Sequence, residues 1–129
     1  MATFTGTTAD ETITPGLVSG TVTANPLGSV PSDAADTIYG NGGNDTIDGG
    51  GGDDTIYSGT GNDSILGGWG NDYINAYDGN NTINGGGGDD TIYSGTGNDS
   101  ILGGAGNDYI NAGSGADSVD GGDGNDTIY

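Results

Sequence analysis

Residues 49–57 read Gly-Gly-Gly-Gly-Asp-Asp-Thr-Ile-Tyr, and this nine-residue pattern recurs along most of the chain. An apolar residue returns at every ninth position, at Ile38, Ile47, Ile56, Ile65, Ile74, Ile83, Ile92, Ile101, Ile110, Val119 and Ile128. An acid stands two positions before each of them, with the single exception of Asn81. A fixed short period of this kind predicts a solenoid, in which each repeat packs only on its neighbours.

Each nonapeptide divides into a loop and a strand. Its first six residues are rich in Gly, Asn and Asp and suit a turn, whereas its last three, such as 55–57, suit a short strand. Because side chains alternate along a strand, the Ile points inward, and two nonapeptides close one coil. We therefore predict an all-β fold, a right-handed parallel β-roll of 18-residue coils with two short strands per coil, stacked about 4.8 Å apart.

Composition limits what this chain can bind. Its 129 residues suit one domain, and 19 acids with no Lys, Arg or His give a formal charge of −19. With 31 Gly and only 29% hydrophobic residues, the chain should be expanded until a cation neutralises the acids. We expect no nucleic-acid partner, because no side chain can neutralise a phosphate. We also expect no membrane insertion, since no apolar run approaches the ~18 residues that a span requires.

The same absences bear on catalysis. Without His, Cys, Lys or Arg, the Ser-His and Cys-His nucleophile pairs cannot form. Two carboxylates can hydrolyse a glycoside, but here the acids recur at one loop position and no pair is singled out. We therefore predict that the chain is not an enzyme. The lack of Cys also excludes disulfides.

The first 35 residues depart from the period. Residues 6–14 are a degenerate repeat with Glu11 at the acid position, and residues 15–32 contain three Pro and no acid. We predict two parts: residues 1–35, a degenerate repeat plus an insertion that caps the stack, and residues 36–129, the regular roll. A floppy linker is the alternative for the insertion.

A longer repeat lies over the short one. Residues 49–75 and 85–111 are identical except that Trp69 corresponds to Ala105. Duplication of a block of four nonapeptides explains this identity, and so does design from a consensus.

The complete nonapeptides resemble a known calcium-binding repeat. Residues 67–75 read Gly-Gly-Trp-Gly-Asn-Asp-Tyr-Ile-Asn, and residues 121–129 match the same pattern. The pattern resembles the RTX, or hemolysin-type, family, whose consensus is Gly-Gly-x-Gly-x-Asp-x-apolar-x and whose fold is a parallel β-roll. The chemistry supports calcium independently, because calcium takes six to eight oxygen ligands from carboxylates and carbonyls. Zinc prefers the N and S ligands that this chain lacks, and Mg²⁺ demands stricter octahedral geometry.

The resemblance implies ions held between loops that stack on the same side, by the acid of each loop and by carbonyl oxygens. The period assigns alternate repeats to opposite sides, which leaves five gaps on one side and four on the other, for up to about nine ions. Asn81 lacks a charge, so we expect weaker sites beside it. The predicted ligands are Asp36, Asp45, Asp54, Asp63, Asp72, Asn81, Asp90, Asp99, Asp108, Asp117 and Asp126.

Two outward surfaces carry further patterns. One strand face bears a Tyr in every coil, at Tyr39, Tyr57, Tyr73, Tyr93, Tyr109 and Tyr129. Stacked aromatics stabilise neighbouring strands, and a Tyr row also suits a docking face. Ice binding is a minor alternative suggested by Thr60 and Thr96, although Asp78 interrupts that row.

These patterns lead to a structural rather than a catalytic function. We expect a protein that folds on binding calcium and self-associates end-to-end, through open solenoid ends or the Tyr face, into an extracellular fibre, layer or virion assembly. The alternative is a calcium-dependent folding and secretion module of a larger type I-secreted toxin, protease or adhesin. Residues 1–5 show no cleavable secretion signal, so we expect type I-like export or a place in a surface assembly.

Overall fold

The strands form two sheets that face each other. The computed structural model describes residues 3–6, 12–14, 17–18, 23–25 and 33–129. One sheet, here the short-strand sheet, contains β5 (Thr37–Tyr39), β7 (Thr55–Tyr57), β9 (Tyr73–Asn75), β11 (Thr91–Tyr93), β13 (Tyr109–Asn111) and β15 (Thr127–Ile128). The other, the long-strand sheet, contains β6 (Thr46–Gly51), β8 (Ser64–Trp69), β10 (Thr82–Gly87), β12 (Ser100–Ala105) and β14 (Ser118–Asp123).

Successive strands of each sheet are parallel and separated by 18 residues. Ile56 pairs with Ile38 on one side and with Ile74 on the other, and Ile83 pairs with Ile65 in the opposite sheet. The chain is therefore an all-β parallel β-solenoid of about five turns, and the predicted fold is confirmed. Across the described residues, no helix has the length and apolarity that crossing a membrane requires.

The core consists of two columns of isoleucine, one from each sheet. Nine of these side chains, from Ile38 to Ile110, are at most 3% exposed. Burying each contributes roughly 1.5–3 kcal/mol relative to leaving it in water. Val119 is only partly buried and Ile128 is 49% exposed, because each lies in the outermost strand of its sheet.

The two sheets differ in strand length, which the sequence analysis did not foresee. We predicted a six-residue turn in every nonapeptide, but in half of the loops the first three residues continue the preceding strand, as Gly49 to Gly51 do in β6. Successive coils approach closely there, and a side chain on Gly68 would collide with the carbonyl oxygen of Gly50. Gly68 also has a φ of 118°, which glycine adopts without steric cost. The turn prediction was therefore wrong for this side of the roll.

The described N-terminal strands extend both sheets by one coil. These strands are β1 (Thr3–Thr5), β2 (Thr12–Thr14), β3 (Leu17–Val18) and β4 (Thr23–Asn25). Phe4 pairs with Ile38 and Ile13 with Ile47, and both N-terminal side chains are fully buried. β4 and β3 then pair antiparallel with β1 and β2 as the outermost strands.

Most of the predicted insertion lies outside the described residues. Of residues 15–32, only 17–18 and 23–25 are described. The antiparallel position of β3 and β4 at the edge agrees with a cap, but the division into residues 1–35 and 36–129 stays a prediction. Phe4 was not foreseen as core, because no acid or glycine loop precedes it.

The tyrosines form a continuous outward ladder on the short-strand sheet. Ring centroids are 5.2 Å apart between Tyr39 and Tyr57 and 5.5 Å apart between Tyr109 and Tyr129. The intervening pairs, through Tyr73 and Tyr93, lie at 5.9–6.0 Å. Such aromatic pairs contribute about 0.5–1.5 kcal/mol beyond their burial.

Candidate metal centre

The predicted ligands lie in two rows, one at each corner of the roll. Row one, where the long strands turn into the short ones, contains Asp36, Asp54, Asp72, Asp90, Asp108 and Asp126. Row two, at the opposite corner, contains Asp45, Asp63, Asn81, Asp99 and Asp117. Each corner has this residue at the same loop position because the nonapeptide repeats without a slip. The structure thus brings all eleven side chains into the two stacks that the period assigns.

From Asp54 to Asp126, one side-chain oxygen of each of these residues joins its coil to the preceding coil. The backbone N–H of Asp36 donates to Oδ1 of Asp54 at 2.7 Å, and that of Asp54 donates to Oδ1 of Asp72 at 2.8 Å. Row two repeats this arrangement, and Asn81 participates through its amide oxygen, at 2.9 Å from the N–H of Asp63. The bond always spans 18 residues, so each row is a ladder of backbone-to-side-chain bonds.

The side chains are buried inside the loops. Asp54, Asp63 and Asp72 are each 2% exposed, and Asn81 is 1% exposed. Asp117 and Asp126 are only partly buried, since they belong to the last coil. Burying a carboxylate costs several kcal/mol unless a partner compensates its charge.

The second carboxylate oxygen has no such partner. Among the described residues, the buried Oδ2 atoms of the following side chains accept no hydrogen bond: Asp54, Asp63, Asp72, Asp90, Asp99 and Asp108. The sequence contains no Lys, Arg or His that could approach them. A row of orphaned carboxylate oxygens inside a folded loop is the feature that a bound cation would explain.

Glycine keeps the space beside these oxygens open. A β-carbon added to Gly49 would lie 2.5 Å from Oδ2 of Asp54 and 2.5 Å from the carbonyl oxygen of Gly67 in the next coil. Gly67 has the same relation to Oδ2 of Asp72 and the carbonyl of Gly85, again at 2.5 Å. A carboxylate and a carbonyl from successive coils thus converge at each loop, and a side chain would separate them.

The donor set fits calcium. Within the described residues, no three acidic side chains come close enough to form a carboxylate cluster. Each gap between stacked loops is instead bordered by one carboxylate per coil, or by the amide of Asn81, together with backbone carbonyls. Calcium accepts such a mixture of oxygen ligands, with flexible geometry, more readily than Mg²⁺ does.

Without bound ions, the carboxyl groups of row one are not all ionised near neutral pH. Burial raises the pKa of Asp54 to about 7 and that of Asp90 to about 7, against an ordinary value of 3.8. Burial likewise raises the pKa of Asp72 to about 6. It also raises the pKa of Asp108 above its ordinary value. In each case the backbone hydrogen bond from the preceding coil lowers the pKa and neighbouring carboxylates raise it, by smaller amounts. The row therefore holds protons near neutral pH where a cation would otherwise compensate its charge.

A second ladder, which the sequence analysis missed, supports the loops from outside. The backbone N–H of Asn62 donates to Oδ1 of Asn44, and that of Asn80 donates to Oδ1 of Asn62, both at 2.8 Å. At the other corner, the N–H of Asn71 donates to Oδ1 of Asp53 at 2.8 Å. The recurrence of Asn or Asp one position before nine of the eleven ligands was the available signal. These exposed residues hold the loops in register.

The repeat matches one protein-family model. The model of the RTX calcium-binding nonapeptide repeat, in four copies, matches residues 32–65, 66–101 and 93–128, which is well over half of the chain. Comparison with curated proteins and with solved structures gave no match. Repeats of this family bind calcium and are typical of secreted proteins. With both rows of acids stacked in a parallel solenoid, the chain belongs to the RTX calcium-binding nonapeptide-repeat family.

Proposed function

We propose that this chain is a non-enzymatic structural β-roll that folds when calcium binds along its acidic rows. The observation that carries this proposal is the set of buried Oδ2 atoms without a hydrogen-bond partner, such as those of Asp72 and Asp99. Because the chain contains no cationic side chain, only a bound proton or an external cation can compensate these atoms, and above pH 7 the cation is the remaining means. The predicted row-one and row-two residues are the proposed ligands.

Calcium contributes to folding in two ways. It removes the mutual repulsion of carboxylates that stack within a row and belong to a chain of charge −19. It also links successive coils, because the oxygens beside Gly49 come from the side chain of Asp54 and from the carbonyl of Gly67 in the next coil. Binding free energy then becomes folding free energy, as in other proteins whose sites exist only when folded. The gaps between loops set the upper limit at about nine ions.

Circular dichroism of the purified chain tests this proposal. We expect a disordered spectrum in EDTA at pH 7.5 and a β spectrum after titration with CaCl₂. Titration with MgCl₂, and with NaCl at matched ionic strength, separates specific coordination from charge screening. A chain that is equally folded in EDTA, or that folds equally well in NaCl, would contradict a specific calcium requirement.

The family context favours action outside the cytosol. RTX repeats are typical of secreted proteins, and extracellular modules work with calcium sites of about 10⁻⁴–10⁻³ M. We accordingly assign the folded state to a calcium-rich, extracellular location. Calcium-triggered folding of an exported module of a larger toxin, protease or adhesin is consistent with the same contacts.

Self-association is a second candidate function. β14 and β15 are the last strands of their sheets, and Ile128 in β15 is 49% exposed. An exposed strand edge is a template for pairing with another chain, and a head-to-tail contact of this kind propagates into a filament. Negative-stain electron microscopy in EDTA and in millimolar calcium tests it: calcium-dependent fibres would support assembly, and dispersed particles in both would contradict it.

A further inference from the structure

The two rows differ at the first position of the loop, five residues before the proposed ligand. In row one this position is glycine in the five loops from Asp54 to Asp126, at Gly49, Gly67, Gly85, Gly103 and Gly121, whereas Pro31 stands there before Asp36. In row two it is occupied by Gly40, Ser58, Ala76, Ser94 and Ala112. The family consensus is therefore complete in these five row-one loops and in no row-two loop, and four of the five row-two loops carry a side chain at the first position.

That side chain fills the space beside the carboxylate. At Gly40, the one glycine of the row-two series, an added β-carbon would lie 2.6 Å from Oδ2 of Asp45, as closely as in row one. Ser58, Ala76 and Ser94 carry a β-carbon at this position, and all three are fully buried. The loops of row two thus place side-chain atoms where those of row one leave only the α-hydrogen of glycine.

The serine hydroxyls also form hydrogen bonds with the carbonyl oxygens that would complete a calcium site. The Ser58 hydroxyl donates to the carbonyl oxygen of Ala76 at 3.1 Å, and the Ser94 hydroxyl donates to that of Ala112 at 2.6 Å. The corresponding carbonyl in row one, that of Gly67, faces Oδ2 of Asp54 across a glycine that has no hydroxyl to offer. At Ser58 and Ser94, row two therefore supplies a side-chain donor to a carbonyl oxygen whose row-one counterpart lies beside a glycine.

The larger number of acidic side chains also favours calcium binding at row one. Besides its six ligands, row one has four exposed acids in its loops, at Asp33, Asp53, Asp89 and Asp123. Row two has four acidic ligands, since Asn81 is neutral, and one further exposed acid, Asp78. The attraction for a divalent cation rises with the charge concentrated around the site. Both rows bury orphaned carboxylate oxygens, so the glycines and the flanking acids are what separate them.

We propose that the four gaps between the five glycine-containing loops of row one, from Asp54 to Asp126, are the tight calcium sites, and that row two fills only after them and weakly. The inference rests on the proposed function, since it concerns the order in which the same ions bind. It predicts a binding isotherm with two phases, the first of which ends near four ions per chain rather than nine.

A matched pair of variants separates the rows. Asp90→Asn and Asp99→Asn make the same change at the same position of consecutive loops, and both native side chains are 2% exposed. Isothermal titration with CaCl₂, with ion counts by native mass spectrometry, should show the first phase weakened at least tenfold, or shortened, in Asp90→Asn. Asp99→Asn should leave the first phase unchanged. Asn81 shows that row two accommodates an amide, so Asp99→Asn should still fold in saturating calcium.

Exchanging the first loop residue supplies the converse experiment. Ser58→Gly with Ser94→Gly should strengthen the second phase, because it opens row-two loops and releases the carbonyls of Ala76 and Ala112. Gly85→Ala with Gly103→Ala should weaken the first phase, because it puts the row-two side chain into row one. Circular dichroism in saturating calcium confirms that each variant is folded.

The outcomes distinguish this inference from the proposed function. A single phase of about nine equivalent ions, or equal weakening by Asp90→Asn and Asp99→Asn, would overturn the difference between the rows and leave calcium-dependent folding intact. A chain that binds no calcium would overturn both.

Discussion

The isoleucine columns and the acidic rows are buried to the same degree, but their energetics are opposite. Ile56 is fully buried and Asp54, two residues before it, is 2% exposed. Burial of the isoleucine stabilises the roll at any pH or calcium concentration, whereas burial of the carboxylate costs free energy until a proton or a cation compensates it. The contribution of the isoleucine columns to stability is therefore independent of pH and calcium, whereas that of the acidic rows depends on both. The degree of burial alone does not show which of these two groups a residue belongs to.

The largest expected effect is that protonation of the acidic rows at low pH stabilises the fold in the absence of calcium. Burial raises the pKa of Asp54 and Asp90 to about 7 and that of Asp72 to about 6, so the ion-free roll binds more protons than the unfolded chain between about pH 4 and 7. Its stability should therefore rise as the pH falls toward 5 and be lost as the pH rises through 7. Circular dichroism in EDTA at pH 5, 6, 7 and 8, at constant ionic strength, measures this change.

The same series in saturating calcium provides the control. In saturating calcium, stability should instead decrease as the pH falls, because protons compete with calcium for the carboxylates and lowering the pH releases ions. Ion-free stability that is flat, or that rises with pH, would show that the acidic rows do not control folding. Measurements should stop near pH 5, because solubility is lowest close to the isoelectric point, which the sequence places at about 4.1.

A smaller effect, independent of calcium, is expected in the isoleucine columns. Ile74 is fully buried in the middle of the roll, and its replacement by Ala should lower the free energy of unfolding by about 2–5 kcal/mol. Ile128→Ala, at a side chain that is 49% exposed, should cost about 1 kcal/mol or less. Urea unfolding in saturating calcium and in EDTA at pH 5 measures both variants. A cost for Ile74→Ala that appears only with calcium would show that the isoleucine columns and the acidic rows are not independent.

The smallest expected effect concerns Asn81, the one neutral member of the rows. Asn81→Asp adds a carboxylate to row two, so calcium binding beside it should tighten by a few-fold, within the second phase of the isotherm. Asn80→Asp adds the same charge at an exposed neighbouring position and is the matched control. Equal effects of the two variants on calcium titration would indicate general charge attraction and would exclude Asn81 as a ligand position.

The period predicted most of the fold because a single rule fixes every coil. The spacing of Ile47 and Ile65 already fixes the 18-residue register, the parallel pairing and the inward face, and these predictions were confirmed. The two stacks of acids follow from the same arithmetic. No competing local preference intervenes, since each nonapeptide has the same turn and strand residues as its neighbours.

What the period did not predict depends on contacts between coils rather than on position within one. β6 extends through Gly51 because glycine backbones of neighbouring coils pair without side chains between them. Phe4 joins the core through pairing with Ile38, although 34 residues separate them. The alternation of Ser58 and Ala76 is plain in the sequence, but only the hydroxyl-to-carbonyl bond between them gives it a meaning.

The two ladders of hydrogen bonds run in opposite senses, and this has a consequence for cooperativity. In the ligand rows the acceptor belongs to the following coil, as when Asp36 donates to Asp54, whereas in the outer ladder it belongs to the preceding coil, as when Asn62 donates to Asn44. An inner coil is therefore held by side chains of both neighbours, and it also holds both of them. Order gained by one coil favours order in the next, in both directions along the axis, as in a one-dimensional array with strong nearest-neighbour terms. Folding of the roll should accordingly begin rarely and then spread quickly, so that partly wound molecules are scarce at any calcium concentration.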